Sequence, residues 1–147
     1  MKKTIFLSVT RIVLSFIFLW AFFDKLFGFK FATLPENAWI HGGSPTAGFL
    51  THGVKGPFAD FFSSLAGSPI VDWLFTIGLL CIGVSLLTGV MLRWAGIGGA
   101  VLMILMYLAT MPPENNPLFD DHIVYALLLL YFGAHHHRST PEVSNVA

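Results

Sequence analysis

Long apolar stretches alternate along the chain with short groups of charged residues. A membrane core about 30 Å thick takes roughly 20 residues of helix to cross, and two stretches approach that length without a charge. Residues 73–92 lie between Asp72 and Arg93, and residues 94–111 lie between Arg93 and a pair of prolines. The pattern predicts two membrane-spanning helices that form a hairpin turned at Arg93.

Two further apolar stretches carry charged residues near their ends. The stretch at residues 4–27 contains Arg11, whose long side chain can reach the headgroup layer, and it ends close to Lys25. The last stretch is extended at its start by Asn116 and Pro117, which suit the cap and first turn of a helix. We therefore predict an all-α fold, an integral membrane four-helix bundle formed by one domain over residues 1–147. Its spans are predicted at about 4–27, 69–92, 94–111 and 117–137.

The distribution of Lys and Arg predicts the orientation, because cytoplasmic loops of membrane proteins are enriched in these residues. One side of the predicted bundle carries Lys2, Lys3, Arg93 and Arg138, whereas the other side carries most of the acidic residues. Both termini are therefore predicted to lie in the cytoplasm, in a multi-pass protein of the cell (inner) membrane. A cleaved signal peptide at residues 1–23 is the alternative, although no small-residue cleavage site follows it.

The predicted outer connection, residues 28–68, is far longer than the roughly two to eight residues that usually join helices in a bundle. Such a loop is either functional or disordered, and disorder fits poorly because most of the 15 phenylalanines lie between Phe16 and Phe62. Apolar side chains at helical spacing between Pro57 and Gly67 predict a short amphipathic helix in the outer headgroup layer. The alternative is that its phenylalanines cover a lipid-soluble substrate.

Composition supports a membrane protein and excludes several other classes. Hydrophobic residues make up 55% of the chain and charged residues 11%, against roughly 25% charged residues in an average soluble protein. Eight basic and eight acidic residues balance, so no basic surface is available for nucleic acid. The single cysteine, Cys81, excludes an intrachain disulfide and a Cys-rich metal cluster. No haem or metal is expected, because no histidine lies in the middle of a predicted span and His135, His136 and His137 point in three directions on a helix.

Candidate functional residues collect at the predicted outer end. Gly42 and Gly43 permit close backbone approach, and with Ser44 their amides suit an anion-binding nest; a plain turn is the alternative. His41 adjoins the glycine pair, and Lys25 offers a positive charge unless it extends into the headgroups. The other ionisable residues predicted at this end are Asp24, His52, Asp72, Asp121 and His122.

The segment from Trp39 to Leu50 resembles the WxxGGSPTxGFL element of DoxD-like proteins, within the DoxX superfamily. The similarity extends to about residue 137 and includes Arg11, Asp24-Lys25-Leu26, residues 57–67 and Asp121-His122. It implies a four-helix integral membrane protein. One branch of the superfamily is the large subunit of thiosulfate:quinone oxidoreductase, which a second subunit or fused domain completes.

For a protein of this branch, we expect oxidation of a small sulfur compound such as thiosulfate at the outer face, with quinone as electron acceptor. The residues then expected to handle protons, and so to be catalytic, are His41, Asp121 and His122. The groups expected to bind the anion are Lys25, Gly42, Gly43 and Ser44. The expected partners are membrane lipid and a second subunit at the outer face, and self-association into a homo-oligomer is left open.

Two other functions remain open from the sequence. The chain has no motif for a bound redox centre, which favours a non-catalytic membrane scaffold or anchor subunit for a partner enzyme. A helix bundle of this kind also suits a protein that handles small solutes or lipids.

Overall fold

The computed structural model describes residues 2–114, 116 and 118–135, and their regular secondary structure is helical. The longest helix, α1, is Lys2–Phe27. The connection at residues 28–68, named the outer connection after its predicted side, contains the short helices α2 (Ala47–His52) and α3 (Ala59–Ser63), with 3₁₀ turns at Pro35–Asn37, Trp39–His41 and Gly56–Phe58. The remaining helices are α4 (Pro69–Thr88), α5 (Leu92–Ala109) and α6 (Asp121–His135). The predicted all-α class is confirmed.

Three helices are long and apolar enough to cross a membrane. They are the 24 residues Thr4–Phe27 within α1, the 20 residues of α4 and the 18 residues of α5. Their outward surfaces are apolar: Phe6, Leu74 and Trp94, for example, are all strongly exposed. Such surfaces suit lipid contact, and the prediction of a membrane protein is confirmed to this extent.

The last helix is shorter than the predicted fourth span. α6 has 15 residues, which at 1.5 Å per residue gives about 22 Å, less than the membrane core. Of the predicted span at 117–137, Pro117, His136 and His137 lie outside the described residues. Arg138, used for the orientation, lies outside them as well.

The hairpin between α4 and α5 turns slightly earlier than predicted. α4 ends at Thr88, followed by Gly89, whose φ of +84° is left-handed, and Met91 has a φ of +55°. Glycine adopts this conformation without steric cost, which explains why the helix stops there. Arg93 was predicted at the turn, but it lies in the first turn of α5.

The four long helices pack in chain order, α1 against α4, α4 against α5 and α5 against α6. All four contribute to one apolar core. Its innermost residues include Leu14 and Phe18 from α1, Leu86 from α4 and Leu129 from α6. The same central region therefore holds together the spans and the last helix.

Small residues allow close helix contacts, but with different neighbours from those expected. Small residues recur every four positions on α4, at Cys81, Ser85 and Gly89, and on α5, at Gly96 and Ala100, and this spacing predicts that the two faces pack on each other. In the structure Gly96 approaches Gly133 of α6, and a Cβ added at Gly96 would lie 2.9 Å from the Cα of Gly133. Gly83 of α4 packs against Leu19 of α1, whereas Cys81 is exposed. Sequence spacing shows that a helix face carries small residues, but it does not show which neighbouring helix packs on that face.

The outer connection is folded against the ends of the long helices. Leu50 and Phe62 are buried with Ala109, the last residue of α5, in a second small core. The predicted amphipathic segment forms α3 and the preceding 3₁₀ turn, and its aromatic residues are partly buried and partly exposed. Phe62 faces this core, whereas Phe58 and Phe61 are exposed.

Candidate functional site

A cavity of about 830 Å³ lies between α1, α4, α5 and the outer connection. Its wall is mainly apolar, with the aromatic residues Trp20, Phe31, Phe49, Phe62 and Phe75. The ionisable and hydroxyl side chains in the wall are Asp24, Lys25, Thr46 and His52. A largely apolar pocket with a few polar groups is the usual form of a small-molecule site, and typical volumes are about 300 to 1,000 Å³.

Asp24 fastens the start of the outer connection to α1. Its side chain is buried, and its two carboxylate oxygens accept hydrogen bonds from the amides of Phe31, at 3.2 Å, and Ala32, at 3.0 Å. Asp24 therefore positions the segment that carries Phe31 into the cavity wall.

Lys25 is buried beside Asp24 rather than extended into the headgroups. Only 8% of the residue is exposed, and Nζ donates a hydrogen bond to Thr33 Oγ1 at 3.0 Å. The amine of Lys25 is thus held in place at the polar edge of the cavity.

Asp72 fastens a second part of the outer connection. It lies in the first turn of α4, and its Oδ1 accepts hydrogen bonds from Thr46 N at 3.0 Å and Thr46 Oγ1 at 2.6 Å. Both residues are buried. Thr46 precedes α2, so this contact sets where α2 begins and places Gly48 and Phe49 in the cavity wall.

The glycine turn lies outside the cavity wall. Gly42 has a φ of +76°, and its amide donates to Trp39 O at 3.0 Å; the Gly43 amide donates to Ala38 O at 3.1 Å. Both amides are satisfied within the turn, so they can bind an anion only if the turn opens. The Ser44 hydroxyl is buried and has no hydrogen-bond partner among the described residues.

The three residues predicted to handle protons lie outside the wall of the cavity that contains Lys25. His41 is exposed at the end of a 3₁₀ turn, outside the cavity wall. His122 Nδ1 lies 2.7 Å from Asp120 Oδ2, at the start of α6, and Asp121 is exposed beside it. Asp120 Oδ1 also accepts a hydrogen bond from the His122 amide at 3.1 Å, so the side chain of Asp120 caps the start of α6. The roles expected for these residues stay predictions.

The structure adds residues that were not selected from the sequence as site residues. Asp24, Asp72 and His52 had been noted only as ionisable groups at the outer end, and Thr46 only as a letter of the family element. The available signal was a carboxylate within or beside an apolar span, where an unpaired charge is costly. What the sequence could not supply was the partner of each carboxylate.

Within residues 2–114, 116 and 118–135, no group of three or more His, Cys, Asp or Glu side chains is placed to hold a metal ion. The chain matches no protein-family model, no curated protein and no solved structure. The likeness to DoxD-like proteins therefore rests on the sequence elements described above.

Proposed function

We propose that this chain is the membrane subunit of a quinone-linked oxidoreductase of the DoxD-like type, which oxidises a small sulfur compound such as thiosulfate at the outer face. The proposal includes four spans in a helix bundle of the inner membrane, both termini on its cytoplasmic side, and a second subunit at the outer face. The observation that carries it is the apolar cavity with the buried side chain of Lys25 at its polar edge.

The cavity suits a flat, lipid-soluble ring. Trp20, Phe31 and Phe75 offer aromatic surfaces for it. A lysine ammonium has three donors, and Thr33 is the one hydrogen-bond partner of Lys25 in the described part of the chain. The remaining donors are available to a ring oxygen. A quinone bound in the cavity would accept two electrons and two protons.

The side chains at the cavity edge then have separate tasks. Lys25 holds the ring oxygen and favours negative charge on it. Asp24 keeps Phe31 over the ring by binding its amide. His52 lines the cavity and is exposed, so it can exchange protons between the cavity and outer water.

The other predicted residues act nearer the outer water. The turn at Gly42, Gly43 and Ser44 keeps its proposed part in attracting the anion, on condition that the glycine amides leave their backbone acceptors. His41, Asp121 and His122 keep a proposed part in proton exchange at the outer surface, where a second subunit would bind. Lys25 changes its proposed partner from the anion to the ring, because it is buried in the cavity wall.

Filling the cavity tests whether a ring binds there. Gly48 lies in the wall, and a Cβ added to it meets nothing within 4 Å, so Gly48→Leu adds bulk without a clash. We expect this variant to weaken binding of a short-chain quinone analogue by about tenfold or more, equivalent to about 1.4 kcal/mol. Gly98→Leu is the control, since Gly98 also has open space but lies outside the wall. Equal affinity in both variants and the parent would refute the site.

Cysteine labelling in intact cells tests the proposed orientation. With Cys81 replaced by Ala, a cysteine at the exposed Thr51 of the outer connection should react with an impermeant reagent from outside, and one at Ser139 should react only after permeabilisation. The opposite pattern, or equal labelling from outside at both positions, would contradict four spans with cytoplasmic termini.

A non-catalytic scaffold for a partner enzyme is the second candidate. It is favoured by exposed apolar side chains on the outer connection, among them Phe31, Ile40 and Phe61. In the complete complex, replacing Lys25 by Met would leave quinone reduction unchanged under the scaffold function and impair it under the oxidoreductase function.

A further inference from the structure

Each of the three long helices that line the cavity contributes an apolar side chain that is also exposed. Trp20 of α1 is 49% exposed, Leu74 of α4 is 71% exposed and Leu105 of α5 is 44% exposed. At these positions at most one side chain separates the cavity from the surroundings, so part of a ligand can pass there when that side chain moves aside. These three residues are called the lateral opening below.

The lateral opening lies within the candidate spans rather than beyond their ends. Trp20 is seven residues before the end of α1, Leu74 is five after the start of α4, and Leu105 is four before the end of α5. At 1.5 Å per residue these positions are about 6 to 11 Å inside the helix ends. If α1, α4 and α5 cross the membrane, the opening faces lipid.

The opposite edge of the cavity is polar and belongs to the outer connection and the end of α1. Lys25 is bonded to Thr33 there, and Thr46 and His52 lie in the same wall. The cavity thus has a polar edge towards the outer connection and an apolar opening along the spans. A molecule that matches both has a polar ring or head at one end and an apolar chain at the other.

From this gradient we infer that the cavity takes its ligand sideways from the bilayer, with the polar ring at Lys25 and a single long apolar chain leaving through the lateral opening into lipid. This inference rests on the proposed function and adds the ligand class and the route of entry. The volume of about 830 Å³ suits a drug-sized ligand. A long chain attached to a ring of that size therefore has to continue outside the cavity.

A pair of ligands with the same quinone ring tests the inference, one with a short side chain and one with a long isoprenoid chain. The long-chain compound concentrates in the lipid from which the cavity is proposed to fill, so its apparent affinity, expressed against total ligand, should be at least about tenfold tighter in the parent. Binding is measured on the purified chain in nanodiscs of one fixed lipid composition, so that competition from lipid is constant.

Closing the lateral opening should affect only the long-chain ligand. Leu105→Trp should weaken long-chain binding by about tenfold and leave short-chain binding within about twofold of the parent. Leu127→Trp on α6 is the matched control, because Leu127 is exposed and lies outside the cavity wall. Leu74→Trp is a second closing variant in case Leu105→Trp does not fold.

Other outcomes separate the inference from the proposed function. If folded Leu105→Trp and Leu74→Trp both bind the long-chain quinone as the parent does, the lateral opening is wrong even if Gly48→Leu still weakens ring binding. If the parent binds an isoprenoid alcohol but neither quinone, and Leu105→Trp weakens that binding, the opening stands and the quinone function fails. If phospholipid stays bound and neither quinone nor the alcohol displaces it, both are wrong.

Discussion

Replacing Thr46 by Val should loosen the part of the outer connection that covers the cavity. Valine has nearly the same shape as threonine but cannot donate the 2.6 Å hydrogen bond from Oγ1 to Asp72. The amide of residue 46 can still donate to the same oxygen, at 3.0 Å. The substitution therefore removes one of the two hydrogen bonds that fasten α2 to α4 and leaves the buried volume almost unchanged.

The size of the effect follows from the charge of the acceptor. A hydrogen bond to a charged group contributes about 1.5 to 3 kcal/mol, and a buried charge that loses a donor is costly. If that free energy is lost from the closed state of the segment, its open population rises about 10- to 150-fold, since about 1.4 kcal/mol corresponds to a factor of ten. The change should be local, because α4 keeps its contacts with α1 and α5.

Hydrogen exchange of backbone amides measures this opening directly. The amide of Leu50, which donates to Thr46 O at 3.0 Å, should exchange faster in Thr46→Val by the factor given above. Thr46→Ser keeps the hydroxyl and should exchange almost as the parent does. Thr10→Val is the control, because the hydroxyl of Thr10 bonds to Phe6 O within one exposed helix turn. An unchanged exchange rate of the Leu50 amide in folded Thr46→Val would refute the role of Asp72 in holding α2 against α4.

Two further predictions concern contacts outside the cavity. The hydrogen bond from Lys55 and its positive charge lower the pKa of Glu114 below its ordinary value of 4.5; the contact therefore stabilises the fold above that pH and is lost as pH falls through the lowered pKa. Exchange of the Lys55 amide, corrected for intrinsic rates, should speed up on acidification in the parent but not in Glu114→Gln, and identical pH profiles would contradict this. Gly96→Leu should lower the thermal unfolding midpoint in detergent, because its Cβ would lie 2.6 Å from Leu129 O, whereas Gly98→Leu should leave it unchanged. Equal midpoints for the two variants would show that α5 and α6 do not pack closely there.

The helices of this protein are predictable from local sequence, but their partners are less so. Apolar length alone placed α4 and α5 to within a few residues, because a break such as Gly89 acts locally. The assignment of Gly96 to an α4 contact was wrong, since it packs on Gly133. A helix face with small residues can pack closely on any neighbouring helix. Which helix packs there depends on the arrangement of all the helices together.

The site was harder to predict than the fold, and Lys25 shows why. A lysine near the end of a span has two good alternatives, reaching out to the headgroups or pairing inside the protein. The structure has the second, with Thr33 as acceptor eight residues further along the chain. That acceptor is brought into place by Asp24, which binds the amides of residues 31 and 32. Neither contact has a periodic signature, so no pattern of spacing could indicate it.

The length of the outer connection follows from these buried charges. Asp24, Lys25 and Asp72 lie at the ends of α1 and α4, where each would be costly if it stayed buried without a partner. The connection provides those partners: the amides at residues 31 and 32, the hydroxyl of Thr33, and both donors of Thr46. A short turn between α1 and α4 could not reach all three charges. The connection that covers the cavity is therefore also what allows the charged groups at the cavity edge to remain buried.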